Sequence, residues 1–241
     1  MLEILSKNNQ KIKEACSLKL KKNRLNKNLF LMEGIKNLDM ALKFGVVKQI
    51  FTTIGLPKLK QNIETYKINK EVLDKLASSE NPEGVVFVCE MMKSRKATNE
   101  YHKIVYLDQI NDPGNLGTIL RTAVAFNYDA VILSKGSVDL YNEKTLAASK
   151  GAIFLIDTFY DDISNYEKDK KVIVTSLDES SIPLKELPHY DDFVLVLGNE
   201  SHGVSDALIK KANVLTKIEM NSDIDSLNVA VAAGILMNHL K

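Results

Sequence analysis

The 241-residue sequence contains few cysteines and lacks an export signal. Its two cysteines, Cys16 and Cys89, lie far apart and form no CxxC pair. This argues against a disulfide framework or a zinc site and favours a reducing compartment. The four histidines have no metal-ligand spacing, and the N-terminus lacks the basic and then apolar pattern of a signal peptide. We therefore expect a cytoplasmic protein without a metal ion.

Long apolar runs and the common nucleotide-binding fingerprints are also missing. The longest apolar run, residues 229–237, is far too short to cross a bilayer. Neither GxGxxG nor GxxxxGK[ST] occurs, so a classical dinucleotide fold and a P-loop NTPase lose their main support. A GxSxG nucleophile elbow is absent as well.

What the sequence does contain is an uneven distribution of charge. Residues 1–98 carry 19 Lys and Arg against 10 Asp and Glu, a net charge of +9. Residues 99–241 carry 13 against 21, a net charge of −8. The length slightly favours two domains, and the charge difference indicates that the first one contacts a polyanion.

A basic run between Lys7 and Lys27 holds eight cations and a single acid, Glu14. Apolar residues recur in it at helical spacing, which predicts a helix with a basic outer face. The run has no aromatic residue, so it favours contact with a nucleic-acid backbone over base stacking. A solvated helix face would look similar. The candidate nucleic-acid contacts are Lys19, Lys21, Lys22, Arg24 and Lys27.

Strands and helices alternate on both sides of a polar segment. In the first part we predict strands at 30–34, 47–51 and 85–88 and helices at 37–44 and 71–77, which indicates a small α/β domain over residues 1–95. Residues 96–100 are the predicted linker. From 101 to 241 we predict strands at 104–107, 130–133, 153–156, 172–175 and 193–197, with helices at 114–127, 143–149, 205–212 and 226–240. This pattern predicts a parallel sheet covered on both faces.

Three polar segments follow predicted strands or open a helix. Asn115 and Arg121 belong to residues 111–123, Glu200 lies in the glycine-bounded turn 198–203, and Ser226 is a good N-cap for the last helix. Ligands of parallel α/β sheets bind beyond the carboxyl ends of the strands. Taken singly, each segment could equally be an ordinary turn or a helix cap.

Together the segments resemble a known enzyme family. The order NDPGNLGTILRTA, VLVLGNESHG and SLNVAVAAGIL is similar to that of the SpoU/TrmH RNA ribose 2′-O-methyltransferases, which belong to the SPOUT class. LFLMEGIKNL and ENPEGVV resemble that family's substrate-binding domain, which is similar to certain ribosomal RNA-binding proteins. The resemblance implies a small ribosomal-protein-like α/β RNA-binding domain followed by a knotted α/β domain, with S-adenosylmethionine held in the knot.

The resemblance also implies site residues, a homodimer and active sites completed across its interface. It places catalysis at Asn115, Arg121, Glu200, Ser226 and Asn228. It places the cofactor, mainly through backbone groups, at Thr175, Leu177, Gly198, Asn199, Ile218, Met220 and Leu227. The apolar last helix, whose burial a second subunit could complete, agrees with a dimer.

Two points depart from the family pattern or qualify it. Glu219 and Ser222 stand where the third motif usually has proline and glycine, in the cofactor loop. The family's arginine is often proposed as the general base, yet arginine is not normally deprotonated in proteins. Arg121 could instead hold a phosphate and lower the pKa of the hydroxyl by its charge.

The sequence therefore predicts an S-adenosylmethionine-dependent RNA 2′-O-methyltransferase, with ribosomal RNA favoured over tRNA as substrate. The alternative from another class is a non-catalytic RNA-binding protein, such as a ribosome-assembly factor, that retains the fold. A small-molecule enzyme would not account for the +9 charge of residues 1–98.

Overall fold

The chain forms two compact units. The computed structural model describes residues 2–57, 62–93 and 100–241. Unit 1 contains Met1–Met92 and Tyr141–Leu146, and unit 2 contains Lys93–Leu140 and Ala147–Lys241. The predicted linker, residues 96–100, lies outside the described residues except for Glu100.

Unit 1 is built on a mixed five-stranded sheet with the order β1-β4-β3-β5-β2, in which β1, β4 and β3 are parallel and β5 is antiparallel to both β3 and β2. Its strands are β1 Leu2–Ile4, β2 Leu29–Glu33, β3 Val47–Thr52, β4 Glu64–Ile68 and β5 Val85–Glu90. Its helices are α1 Gln10–Ser17, α2 Lys21–Lys27, α3 Ile35–Lys43 and α4 Lys70–Leu76. Apolar residues of α1 and α4 pack on one face of this sheet around Phe51, Val86 and Val88.

The single helix predicted for the basic run is wrong, because the chain turns between α1 and α2. Leu18 closes α1 and Leu20, in an extended conformation, precedes α2. The Arg24 guanidinium donates hydrogen bonds to the carbonyl groups of Leu18 and Lys19, at 2.8 Å each, and so satisfies the carbonyl groups that the end of a helix leaves free.

Unit 2 is built on a seven-stranded sheet with the order β10-β12-β9-β11-β6-β7-β8. Every strand pair is parallel, which confirms the predicted parallel sheet. The strands are β6 Lys103–Leu107, β7 Ala130–Leu133, β8 Asp157–Tyr160, β9 Lys171–Thr175, β10 Ile182–Pro183, β11 Phe193–Leu197 and β12 Val214–Lys217. The helices are α5 Pro113–Ala125, α6 Glu143–Ser149, of which Glu143 to Leu146 group with unit 1, α7 Asp206–Ile209 and α8 Val229–His239.

The central strands β6 and β11 position the loops of interest. Both are buried along their length, as expected for parallel strands covered on two faces. They pair in register from Lys103 with Phe193 to Leu107 with Leu197, so the loops that follow them leave the same edge of the sheet side by side. Helices α5 and α8 pack against each other, with Thr122 opposite Gly234.

Two predictions in this unit were wrong. The strand predicted at 153–156 is a 3-10 turn, Ala152–Phe154, and the strand follows it as β8. Lys150 and Gly151 both have positive φ, +50° and +87°, so the chain turns sharply before the apolar residues that suggested a strand. The last helix begins at Val229, and its N-cap is Asn228 instead of Ser226. No described helix is long and apolar enough to cross a membrane.

Candidate functional site

A carboxylate, Glu200, connects the loop after β11 with the loop after β6. One of its oxygens accepts hydrogen bonds from the Asp112 backbone N–H, at 3.2 Å, and from the Asn115 side-chain amide, at 3.0 Å. The other accepts from the Asn111 backbone N–H at 3.2 Å. The donors lie at and just before the first turn of α5, where free N–H groups and the helix dipole favour negative charge.

The third segment joins this network through Asn228. Its side-chain amide nitrogen donates to the Asn115 side-chain oxygen at 2.9 Å. Its own side-chain oxygen caps α8 by accepting from the N–H groups of Ala230, at 2.9 Å, and Val231, at 3.3 Å. The three polar segments predicted from the sequence therefore meet in one hydrogen-bonded chain.

The groups at the two ends of this hydrogen-bonded network determine how the Asn115 and Asn228 amides are oriented. Glu200, when ionised, can only accept, so Asn115 must turn its NH₂ group toward it and its oxygen toward Asn228. The N–H groups at the start of α8 can only donate, so Asn228 must turn its oxygen toward them and its NH₂ group toward Asn115. The second N–H of each amide has no hydrogen-bond partner among the residues that the structure describes.

Hydrogen bonding keeps Glu200 ionised. Burial raises its pKa, but the hydrogen bonds from the Asn115 amide and from the backbone N–H groups outweigh burial and leave the pKa below its ordinary value. The Asp112 side chain stabilises the start of α5, because it caps the helix by accepting a hydrogen bond from the Asn115 backbone N–H at 2.7 Å. Pro113 follows at the first helical position, where its missing N–H costs nothing.

Beside this network lies a cavity of about 430 Å³, within the size range of small-molecule sites. All seven predicted cofactor residues line it: Thr175, Leu177, Gly198, Asn199, Ile218, Met220 and Leu227. Glu200 and Ser226 line it too, so the network and the cavity share a wall. The rest of the lining combines apolar residues, such as Leu197, Ile209 and Leu236, with polar or charged ones, namely Ser176, Ser201, His202, Thr216 and Lys217.

A glycine shapes the cavity wall where two backbone segments pass close together. A Cβ placed on Gly198 would lie 2.1 Å from the Gly203 carbonyl carbon and 2.2 Å from the Val204 nitrogen. No side chain fits there, because both neighbours are backbone atoms that cannot move aside. The approach is closed by paired backbone hydrogen bonds between Asn199 and Gly203, both 2.9 Å.

Neither of the two departures from the family pattern belongs to the cavity lining. Glu219 lies between the lining residues Ile218 and Met220, but its carboxylate forms an exposed ion pair with Lys185 at 2.8 Å. Ser222 is exposed and lies outside the cavity lining.

Arg121 stands apart from the other candidates. It lies on α5, six residues after Asn115, which is about 9 Å further along the axis and about 120° around it. Its side chain is exposed and has no hydrogen bond or ion pair to any residue that the structure describes. Ser226 is also exposed and lines the cavity, and it does not cap α8, because Asn228 takes that role.

The candidate RNA contacts in unit 1 divide into two groups. Lys21, Lys22 and Lys27 are exposed, and Lys27 makes only a long contact of 3.4 Å with Ser17. Arg24 is 5% exposed and holds the turn between α1 and α2. Lys19 donates to the Ala77 carbonyl at 2.8 Å, so its ammonium group is partly engaged.

Sequence reasoning missed the residues that act through their backbone. Asn111 and Asp112 hold Glu200 by their N–H groups, which carry no sequence signal. The Asp112 cap did have a signal, since aspartate directly before a proline is typical of a helix start. Asn228 could have been weighed as the cap of α8, because asparagine caps as well as serine.

Comparison with known families gives two matches along the chain. Residues 102–238 match the SpoU rRNA methylase family, and residues 9–86 match the MRM3-like substrate-binding domain. The first match includes every site residue discussed above except those of unit 1.

Individual relatives match over nearly the whole length. The chain is 36% identical to the 23S rRNA (guanosine(2553)-2′-O)-methyltransferase RlmP of Bacillus subtilis, with all of both chains covered. A crystal structure of an AdoMet-bound rRNA methyltransferase from Sinorhizobium meliloti has 29% identity and a TM-score of 0.89, and the match covers 98% of this chain and 96% of that one. A solved RNA 2′-O ribose methyltransferase has 27% identity and a TM-score of 0.82, with 99% and 97% covered.

Proposed function

The chain belongs to the SpoU rRNA methylase family, and from this we propose that it transfers a methyl group from S-adenosylmethionine to a ribose 2′-hydroxyl of ribosomal RNA. The observation that carries the proposal is the Glu200–Asn115–Asn228 chain at the wall of the cavity. It offers two fixed amide N–H groups beside a space large enough for a cofactor, and it contains no nucleophile that would compete with the ribose.

The cavity fits S-adenosylmethionine by its chemistry. Apolar side chains of Leu177, Ile218 and Leu227 suit the adenine ring, and polar residues of the same lining, such as Thr175 and Asn199, suit the cofactor's hydroxyl and amino-acid groups. The cofactor carries a positively charged sulfonium, and the ionised Glu200 in the cavity wall favours that charge. When bound, it supplies an electrophilic methyl group.

The protein's task is to place the ribose. The free N–H groups of Asn115 and Asn228 would hold the 2′- or 3′-oxygen so that the hydroxyl faces the methyl group, and positioning of this kind supplies much of a rate enhancement. Ser226 would donate or accept a further hydrogen bond at the cavity. Arg121 would bind the adjacent phosphate and favour loss of the hydroxyl proton by its charge.

RNA would bind first through unit 1. Lys21, Lys22 and Lys27 form an exposed basic surface on and beside α2, suited to phosphates, and the MRM3-like match covers it. The Bacillus subtilis relative is named for 23S rRNA and guanosine 2553. We therefore take 23S rRNA as the substrate, with that guanosine as the first position to test, acting in the cytoplasm where both cysteines stay free.

We also infer a homodimer and a knotted unit 2. Val231 and Ile235 lie one turn apart on α8 and are 53% and 41% exposed, an apolar stripe that a second copy would cover. Such a partner would bring its own Arg121 to the site, which accounts for an arginine that has no hydrogen bond or ion pair to the described residues of its own chain. Two features support a knot. Backbone segments pass closely at Gly198. After β11 the chain crosses over β9 to form β12 on its far side, and it then returns so that α8 packs on α5.

The proposal is tested by methyl transfer. Purified protein, S-adenosyl-[methyl-³H]methionine and RNA from cells lacking this chain should give label in 23S rRNA, and nuclease mapping should place it on a ribose. If the label appears in tRNA instead, the substrate is tRNA. An assembly factor would bind the same RNA and leave it unlabelled.

A further inference from the structure

Two residues between β6 and the Asn111 turn, Asp108 and Gln109, belong to none of the motifs discussed above. Asp108 is 5% exposed and bonds to both ends of the loop after β11. Its backbone N–H donates to the Leu197 carbonyl at 2.8 Å, and its side-chain oxygen accepts from the Ser205 N–H at 2.9 Å. One buried residue therefore brackets residues 198–204, hereafter the 198–204 loop, through its backbone N–H at one end and its carboxylate at the other.

Gln109 has a backbone conformation that glutamine rarely adopts. Its φ is +54°, in the left-handed region, and its side chain is exposed. In this conformation its N–H donates to the Ser134 hydroxyl at 2.8 Å, and its carbonyl accepts from the Asn199 side-chain amide at 2.7 Å. A left-handed non-glycine residue persists only where its surroundings hold it, and such residues concentrate at functional sites.

The Asn199 amide transmits this geometry into the 198–204 loop. Its oxygen accepts from the N–H groups of Ser201, at 2.8 Å, and His202, at 3.3 Å. The amide thereby ties the turn that follows Glu200 to the Gln109 carbonyl. The same loop supplies one wall of the cavity and carries Glu200 to Asn115.

We propose that Asp108 and Gln109 are positioning residues of the methyl-transfer site: they fix the 198–204 loop against β6 and so set both the cofactor wall and the place of Glu200. The proposal rests on the proposed function. Neither residue lines the cavity, and the part played by Gln109 depends on its backbone alone.

A set of three variants separates this role from ordinary stability. Gln109→Val puts a β-branched residue in a left-handed position, Gln109→Gly removes the conformational cost, and Lys150→Val is the matched control. Lys150 has a φ of +50°, is exposed and lies outside the cavity lining. Calorimetric titration with S-adenosylmethionine, alongside thermal unfolding, gives the readout.

We expect Gln109→Val to bind S-adenosylmethionine about tenfold more weakly than the wild type, because the strained loop populates the binding conformation less often. Gln109→Gly should keep the wild-type affinity, and Lys150→Val should lose thermal stability only. Equal affinity of Gln109→Val and Lys150→Val would overturn the proposal. A wild-type protein that binds no S-adenosylmethionine would instead overturn the proposed function.

Asp108 gives a second test that does not depend on strain. Asp108→Asn keeps an oxygen for the Ser205 N–H, whereas Asp108→Ala leaves that donor without its partner. We expect Asp108→Ala to raise the KM for S-adenosylmethionine about tenfold and Asp108→Asn to restore it. If Asp108→Ala retains the wild-type KM, or if Asp108→Asn is as impaired as Asp108→Ala, Asp108 does not position the loop.

Discussion

The candidate RNA-binding side chains of unit 1 and the candidate catalytic side chains of unit 2 differ in how far hydrogen bonds fix them. In unit 1, Lys21 and Lys22 extend into solvent without an ion pair among the described residues, and pairs such as Lys7–Glu71 are exposed. In unit 2, Glu200, Asn115 and Asn228 occupy one another's hydrogen-bonding groups, and two amide N–H groups have no partner among the described residues. Under the proposed function, charge that attracts RNA needs no exact placement, but groups that orient a hydroxyl do, and the two units would divide these tasks.

Described residues of each unit line a cavity, and the two cavities differ in the chemistry of their linings. A cavity in unit 1, about 630 Å³, is bordered by Asp74, Glu80, Glu83 and Lys70. Its acidic rim would repel phosphates. The cavity of about 430 Å³ in unit 2 instead shares Glu200 with the hydrogen-bonded network. The chemistry of the lining, more than the volume, therefore distinguishes the two cavities.

The largest effect is expected from Asn115→Ala, which removes the middle of the hydrogen-bonded chain. We expect kcat for methyl transfer to fall at least about a hundredfold, because both substrate-facing groups lose their orientation. RNA affinity, measured by filter binding, should not change. Thr118→Ala, an exposed position on the same helix, is the control. A variant with more than a tenth of normal turnover would remove the network from the mechanism.

Arg121→Lys should have the next largest effect. A point ammonium does not reproduce the guanidinium fork, so we expect turnover to fall by about tenfold or more while RNA binding stays unchanged. Single-turnover methyl transfer at saturating RNA measures this. Near-normal turnover would show that only the charge at this position matters, or that Arg121 lies outside the site.

Lys21→Ala with Lys22→Ala tests the other side of the comparison. Loss of two phosphate contacts should weaken RNA binding and reduce the slope of log K against log salt by about 1.5, leaving S-adenosylmethionine affinity unchanged. Arg24→Ala is the informative contrast. It should lower the free energy of unfolding by about 2 kcal/mol, because the buried Arg24 donates two hydrogen bonds to the α1–α2 turn, one of them fully buried. If the double variant and the wild type have equal salt slopes, Lys21 and Lys22 do not contact RNA phosphates, and the RNA-binding surface lies elsewhere.

The smallest effect concerns pH. The pKa of Glu200 is below its ordinary value of about 4.5, so the ionised form stabilises the folded network above that pH, and the contribution is lost only as pH falls through the lowered pKa. S-adenosylmethionine affinity should therefore stay constant from pH 7 to about 5. Glu200→Gln should weaken binding across this range. A decline of wild-type affinity that begins near pH 6 would contradict an ionised, hydrogen-bonded Glu200.

The sequence predicted most of unit 2 because its strands are short apolar runs separated by amphipathic helices. β7, α6 and β11 begin and end where the pattern placed them. The family, the parallel sheet and the enzyme class were confirmed by the comparisons and the fold. The errors at 153–156 and at Ser226 arose where a local backbone feature, positive φ at Lys150 or the cap at Asn228, overrode the residue pattern.

Other features could not have been read from residue types. The Asn111 and Asp112 contacts are made by backbone N–H groups, and the Gln109 carbonyl acts only because of its φ. Arg24 looked like its lysine neighbours until the fold buried it. The backbone contacts depend on how the loops after β6 and β11 meet, which follows from strand order, whereas the burial of Arg24 follows from the turn between α1 and α2.

The most direct test of this division of tasks is one methyl-transfer assay on 23S rRNA from cells that lack the chain, with nucleosides analysed by mass spectrometry. We expect a 2′-O-methylated nucleoside with the wild type, its initial rate of formation reduced at least about a hundredfold with Asn115→Ala, and equal RNA binding by both proteins. A methyl group on a base, or no product from a wild-type protein that binds both RNA and S-adenosylmethionine, would contradict it.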